Sequence, residues 1–156
     1  MLVILFAFAA LVLAMLMMFA SFSLGGGEAE VPAIFKILSV SHTDDESGAL
    51  NYDSRVVLSH TGPVTYNNSN LMAKFYKDEQ PVNCKILTFH GEDFVPSHHF
   101  GVQTLSGEGC KGNTWLPNEK VAIDFSDRTF HPDDMVMAEI YDTTTGLIIS
   151  RHSFRA

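Results

Sequence analysis

The first 27 residues carry no charged side chain, and this stretch limits the chain more than any other feature. Residues 1–24 (MLVILFAFAALVLAMLMMFASFSL) are almost wholly apolar, Gly25, Gly26 and Gly27 follow, the first charged side chain is Glu28, and the first basic one is Lys36. As a helix the apolar run would span about 36 Å at a rise of 1.5 Å per residue. A hydrocarbon core is about 30 Å thick. A cleavable signal peptide would need a basic n-region and a shorter apolar run. A single-pass anchor usually has a basic cytoplasmic flank. Neither basic group is present, which predicts that a basic leader was removed ahead of Met1; an intact N-terminal anchor is the alternative.

Beyond the apolar run the chain is polar and acidic. Asp and Glu outnumber Lys and Arg by 18 to 10, for a formal charge of −8, and every acid lies after residue 27. Nucleic-acid binding wants a basic face, so no nucleic-acid partner is expected. Residues 25–31 read as a glycine-rich hinge, and Pro32 blocks helix continuation by making Val31 extended. Residues 32–156 fit one domain.

That domain reads as strands. Residues 34–42, 55–60, 71–77, 82–89, 120–125, 135–142 and 147–154 are short, rich in Val, Ile, Phe and Tyr, and bounded by turn residues. Thr143-Thr144-Thr145-Gly146 joins the last two as a hairpin. About seven strands with turns between them predict an immunoglobulin-like β-sandwich. The expected class is therefore α+β: a long N-terminal hydrophobic helix followed by an extracellular all-β domain. Residues 91–116 form a long section without strand signals, and a loop of that length is usually functional or tied down. Cys84 and Cys110 read either as a disulfide that ties it or as two buried thiols.

Within the apolar run, Ala7, Ala10 and Ala14 fall on one helical face, while Phe6, Phe8, Met15, Met18, Phe19 and Phe22 occupy the others. Small residues let helix backbones approach closely where no water drives association. A small stripe among bulky residues suits a helix packed among copies of itself, and alanine also favours any helix.

Several short motifs resemble the archaeal type IV pilins, filament subunits processed by a class III signal peptidase. Val56-Val57-Leu58-Ser59-His60-Thr61-Gly62 resembles the strand ending in His-x-Gly of that family. Trp115-Leu116-Pro117-Asn118-Glu119 and Phe130-His131-Pro132-Asp133-Asp134 resemble its Trp-x-Pro-Gly-Glu and Phe-x-Pro-Gly-Asp turns. Residues 135–140 and 146–150 match its closing hairpin. Asn118 and Asp133 stand where the family tends to have glycine, and Asn and Asp best tolerate positive φ among other residues. The apolar run lacks the internal glycine of many such pilins, and position 5 is Leu5, not the acid of bacterial type IV pilins.

The resemblance implies a helical filament of many identical subunits, with a helical core and β domains outside, displayed at the cell surface for adhesion. It implies insertion in the cytoplasmic membrane before assembly, and a leader peptidase and pilus assembly machinery as partners. Archaellins share that plan, so a motility filament is the neighbouring reading. A membrane-anchored β-sandwich that binds a ligand through its long loop is a third.

Little points to catalysis. His90, Glu92, Asp93, His98 and His99 crowd together, and imidazole and carboxylate ligate transition metals. His90, Asp93, His98 and His99 are the candidate ligands, set against a plain polar loop. No nucleophile elbow or zinc-protease motif is present, so no enzyme activity and no cofactor are expected. Asp44-Asp45-Glu46 is an acidic cluster, read as solvated loop or calcium site. Asn67 heads the one Asn-x-Ser/Thr sequon, Asn67-Asn68-Ser69, a glycosylation candidate on a secreted surface. Deleting residues 1–24 is expected to leave a soluble, folded β domain, checked by circular dichroism and size-exclusion chromatography; an unfolded fragment would refute the two-part organisation.

Overall fold

The computed structural model describes residues 30–44, 47–126 and 128–156 of the chain. The compact unit 31–156 is a β-sandwich of two main sheets. Its first sheet contains β1 (Phe35–Thr43), β2 (Leu50–His60), β8 (Val102–Ser106) and β10 (Lys120–Phe125), in the order β1-β2-β10-β8. The second contains β4 (Leu71–Lys77), β6 (Lys85–Ile86), β7 (His99–Phe100), β11 (Met135–Asp142) and β12 (Leu147–Arg155), in the order β12-β11-β4-β6-β7. The short β5 (Gln80–Pro81) pairs with β4, and β3 (Tyr66–Asn67) pairs with β9 (Thr114–Trp115) as a separate ribbon.

The α+β expectation is corrected here. Among the described residues the helical turns are three 3-10 turns of three residues each, and no helix is long and apolar enough to cross a membrane. The described structure is all-β, a sandwich with its own strand order rather than an α+β protein. The helix expected over 1–24, with Ala7, Ala10, Ala14 and its aromatic and Met faces, lies outside the described residues, as do Gly25, Gly26 and Gly27.

Alternation builds the core. Phe35 and Ile37 of β1, Val56 and Leu58 of β2, Val121, Ile123 and Phe125 of β10 point inward from the first sheet. Leu71, Ala73 and Phe75 of β4 and Val136, Ala138 and Ile140 of β11 meet them from the second. Each such pattern has period two, as a sheet with one buried face requires. Burying a side chain of this size is worth about 1.5–3 kcal/mol.

The two sheets are joined along one edge by side chains. Ser150 Oγ of β12 accepts from the Phe35 N–H at 2.8 Å, and His152 Nδ1 accepts from the Ile37 N–H at 3.1 Å. Arg151 N–H donates to Pro32 O at 3.0 Å. Phe35 faces Ser150 and Ile37 faces His152, so the two strands run in the same direction. The first and last strands thus satisfy the inward-edge N–H groups of β1 without a regular ladder, as buried backbone donors require.

His152 acts there as an acceptor, so Nδ1 carries no proton. Burial, helped by the Lys36 ammonium, holds His152 below its ordinary value. The neutral form is therefore bound more tightly in the folded state. Its contribution to stability is present above about pH 6.5 and declines as pH falls toward the lowered folded value. Melting temperature should drop over that interval, and His152→Asn, which keeps an acceptor without a titrating ring, should flatten the drop. Ser150→Ala should destabilise by about 1–3 kcal/mol, the cost of a buried donor left without a partner, read by denaturant unfolding.

Candidate functional site

Motif residues, loop residues and one network on a sheet face are the places where chemistry or recognition can reside. The motifs are packing devices. His60 is fully buried and stacks on Phe35 with ring centroids 4.8 Å apart. Trp115, also fully buried, sits 4.5 Å from the Phe35 ring centroid and donates from Nε1 to Glu119 O at 3.1 Å. The chain then turns back: Asn118 N–H donates to His60 O, and His60 N–H donates to Glu119 O. The His-x-Gly strand end and the Trp-containing turn are one packed unit. A Cβ at Gly62 would lie 2.7 Å from Ile34 Cγ2, and one at Gly109 only 2.4 Å from Trp115 Nε1. Both glycines make room that no other residue leaves.

Asn118 and Asp133 adopt φ 71° and φ 74°. The turn at 130–134 is closed by His131 N–H to Asp134 Oδ2 at 2.7 Å and held to the C-terminus by Asp133 N–H to Ala156 O.

The predicted site residues are scattered. Cys84 and Cys110 are free thiols, and the expected disulfide is corrected. Cys84 lies against Gly101, whereas Cys110 lies against Gly91 and donates from Sγ to Gly107 O at 3.2 Å. Burial pushes the Cys84 thiol up to about 11 and raises Cys110 as well, so neither is a ready nucleophile. The long section is tied down by other means. Asn68 N–H donates to Asn113 O at 2.8 Å, Asn68 Nδ2 to Gly112 O at 3.0 Å, and Ser126 N–H to Gly101 O at 3.1 Å.

His90 Nε2 is taken by Asn113 Oδ1 at 3.0 Å, and His98 Nδ1 donates to Asp93 O at 2.7 Å. The His99 ring stacks on Phe94 at 3.9 Å. His90 Nδ1 and Asp93 Oδ2 are 3.4 Å apart, but His98 and His99 turn elsewhere. Among the described residues no three His, Cys, Asp or Glu side chains are grouped to hold a metal ion. Asn67 is exposed, and its side-chain oxygen accepts from the Ser69 N–H at 2.9 Å, in an Asx turn over the sequon.

One arrangement has no counterpart in the sequence reading. Glu139 of β11 is 4% exposed although it points away from the core. Its Oε2 accepts from Tyr76 Oη at 2.9 Å and Tyr141 Oη at 2.7 Å, and its Oε1 accepts from Arg151 Nε at 2.8 Å. Lys74 Nζ lies 4.8 Å from the Tyr141 ring centroid, a cation–π contact. Burial alone would raise the Glu139 carboxyl, but the bonds from Tyr141, Arg151 and Tyr76 outweigh it and hold it below the ordinary carboxylate range. Burial and the carboxylate raise both tyrosines. The result is a rigid, fully bonded polar cluster across β4, β11 and β12. Its signal in the sequence was outward-facing Tyr, Glu and Arg on three correctly expected strands, but strand pairing cannot be read from one chain.

Glu139→Ala should destabilise the domain by about 2–3 kcal/mol, the range for charge-assisted bonds lost from a partly hydrated network, with Glu139→Gln retaining part of it. Because the folded carboxyl is lowered, its contribution is full above the ordinary carboxylate range and is lost as pH falls through the folded value. Urea titrations of wild type and variant across that range should converge on acidification.

No family model and no curated protein matches this chain. Solved structures similar to it include the archaellum periplasmic stator protein FlaG from Sulfolobus acidocaldarius, 14% identical, covering 78% of this chain and 97% of that one with a TM-score of 0.41. The archaellum periplasmic stator protein complex of FlaF and FlaG from the same organism matches at 14% identity over 83% of this chain and 94% of that one, also with a TM-score of 0.41.

Proposed function

We propose that this chain is a structural subunit of an archaeal type IV pilus. It polymerises through residues 1–24, displays the sandwich outside, and serves attachment rather than catalysis. One observation carries the reading: the residues that resemble those pilins are the ones around which the domain is packed. His60 packs edge-on to Trp115, Gly62 makes room for Ile34 and the His60 ring, and Asn118 and Asp133 hold positive φ where the family tends to have glycine. These packing and turn residues occur in the same chain as an uncharged apolar run with a small-residue stripe. Attachment by such a fibre would use weak contacts multiplied by repetition.

Electron microscopy of the sheared cell-surface fraction tests the proposal. Cells carrying the gene should yield thin fibres containing this chain, and deletion should remove them and reduce adhesion while swimming persists. Loss of swimming would assign the subunit to an archaellum instead. Ala10→Leu combined with Ala14→Phe should overpack the helical core by roughly 1–3 kcal/mol per contact and suppress fibres; normal fibres from that variant would refute a packed core.

A further inference from the structure

The outward face of the β12-β11-β4-β6-β7 sheet has no role in the packing described above. In register, Tyr141 stands beside Met72, Glu139 beside Lys74, and Met137 beside Tyr76. Arg151 flanks Glu139 on one side, and Lys85 and Phe100 extend the face across β6 and β7. Three cations, Lys74, Lys85 and Arg151, stand there against one acid, Glu139, which Arg151 already neutralises. This is a basic surface on a chain of net charge −8.

The acids collect elsewhere. At the end of the sandwich opposite Val31, the connections between strands carry Asp44, Asp78, Glu79, Asp133 and Asp134. Lys77, Arg128 and Arg155 offset part of that charge.

We propose that the outward face of this sheet docks onto the acidic end of a second copy of the chain. The inference rests on the filament reading and deepens it by naming the contact between exposed domains. Charge complementarity selects the occupant. A face that meets an end is a heterologous contact, which does not close a two-fold dimer and propagates into an open helical polymer when its rotation does not close a ring. The face also has the composition of an interface centre, with Tyr76, Tyr141, Met72, Met137 and Arg151. Glu139 holds three of these side chains before any partner arrives, so docking immobilises little that is still free. The outward face of the other sheet is also basic, with Lys36, Arg55 and Lys120 against Asp124, but among the described residues it offers no aromatic anchor.

Carbodiimide, which joins a lysine amine to a carboxylate in contact, tests the docking on full-length protein in the sheared surface fraction. Covalent dimers linking Lys74 or Lys85 to Glu79, Asp133 or Asp44 are expected. Lys74→Glu with Lys85→Glu should lower fibre yield roughly tenfold through like-charge contacts. Adding Glu79→Lys and Asp133→Asn in the same chain should restore most of it, which a folding defect would not allow. Dimers linked only through other residues, or a loss of yield without restoration, would overturn the docking while leaving the filament reading intact. A wild-type chain that forms no polymer at all would overturn the filament reading and the docking with it.

Discussion

The sandwich depends on the burial of one indole. Trp115 is surrounded by Phe35, His60 and Phe89, from β1, β2 and the segment after β6. The space for it is created by Gly109, and its one polar atom is satisfied by Glu119 O. A buried Trp without a partner for its N–H would carry a desolvation penalty. The turn 115–119 removes that penalty while it feeds the chain into β10. Packing and chain reversal are therefore set together: a side chain at Gly109 would displace the indole, and loss of the Glu119 carboxylate would open the turn that it closes by accepting from the Leu116 N–H at 2.9 Å.

The last strand alternates two jobs. Ser150 and His152 face inward and accept from β1, while Arg151 between them faces outward and bonds Glu139. One three-residue stretch thus closes the sandwich edge on one face and fixes the polar cluster on the other. Period-two geometry makes this possible, and it ties the strength of the seam to the order of the outer face.

Much of the domain was legible because its strands are strongly patterned. Residues 71–77, 120–125 and 135–142 were read with the bounds they have, and the hairpin at 143–146 follows its turn residues. The edge strand Val102–Ser106 was missed because VQTLS is short and polar and gains its order from pairing with β10. Residues 82–89 have the pattern of one strand, but Cys84 N–H turns back onto Val82 O, leaving only Lys85–Ile86 as strand. The tolerance of Asn118 and Asp133 for positive φ was readable from residue type alone. The spatial separation of Cys84 from Cys110, the dispersal of His98 and His99, and the convergence on Glu139 were not, because each depends on tertiary placement. The α+β expectation rests on residues 1–24, whereas the described residues are all-β.

The parallel run of β1 beside β12 also has a mechanical meaning. Tension entering the domain at Val31 reaches β1 first, and β1 is held by β2 on one edge and by Ser150 and His152 on the other. A pull along the strand axis loads these bonds together, in shear, instead of opening them one after another like a zipper. Resistance to force is a matter of the rate of unfolding more than of equilibrium stability. A domain whose entry strand is gripped on both edges resists a pull along that strand, and acid, by protonating His152, would loosen one side of that grip.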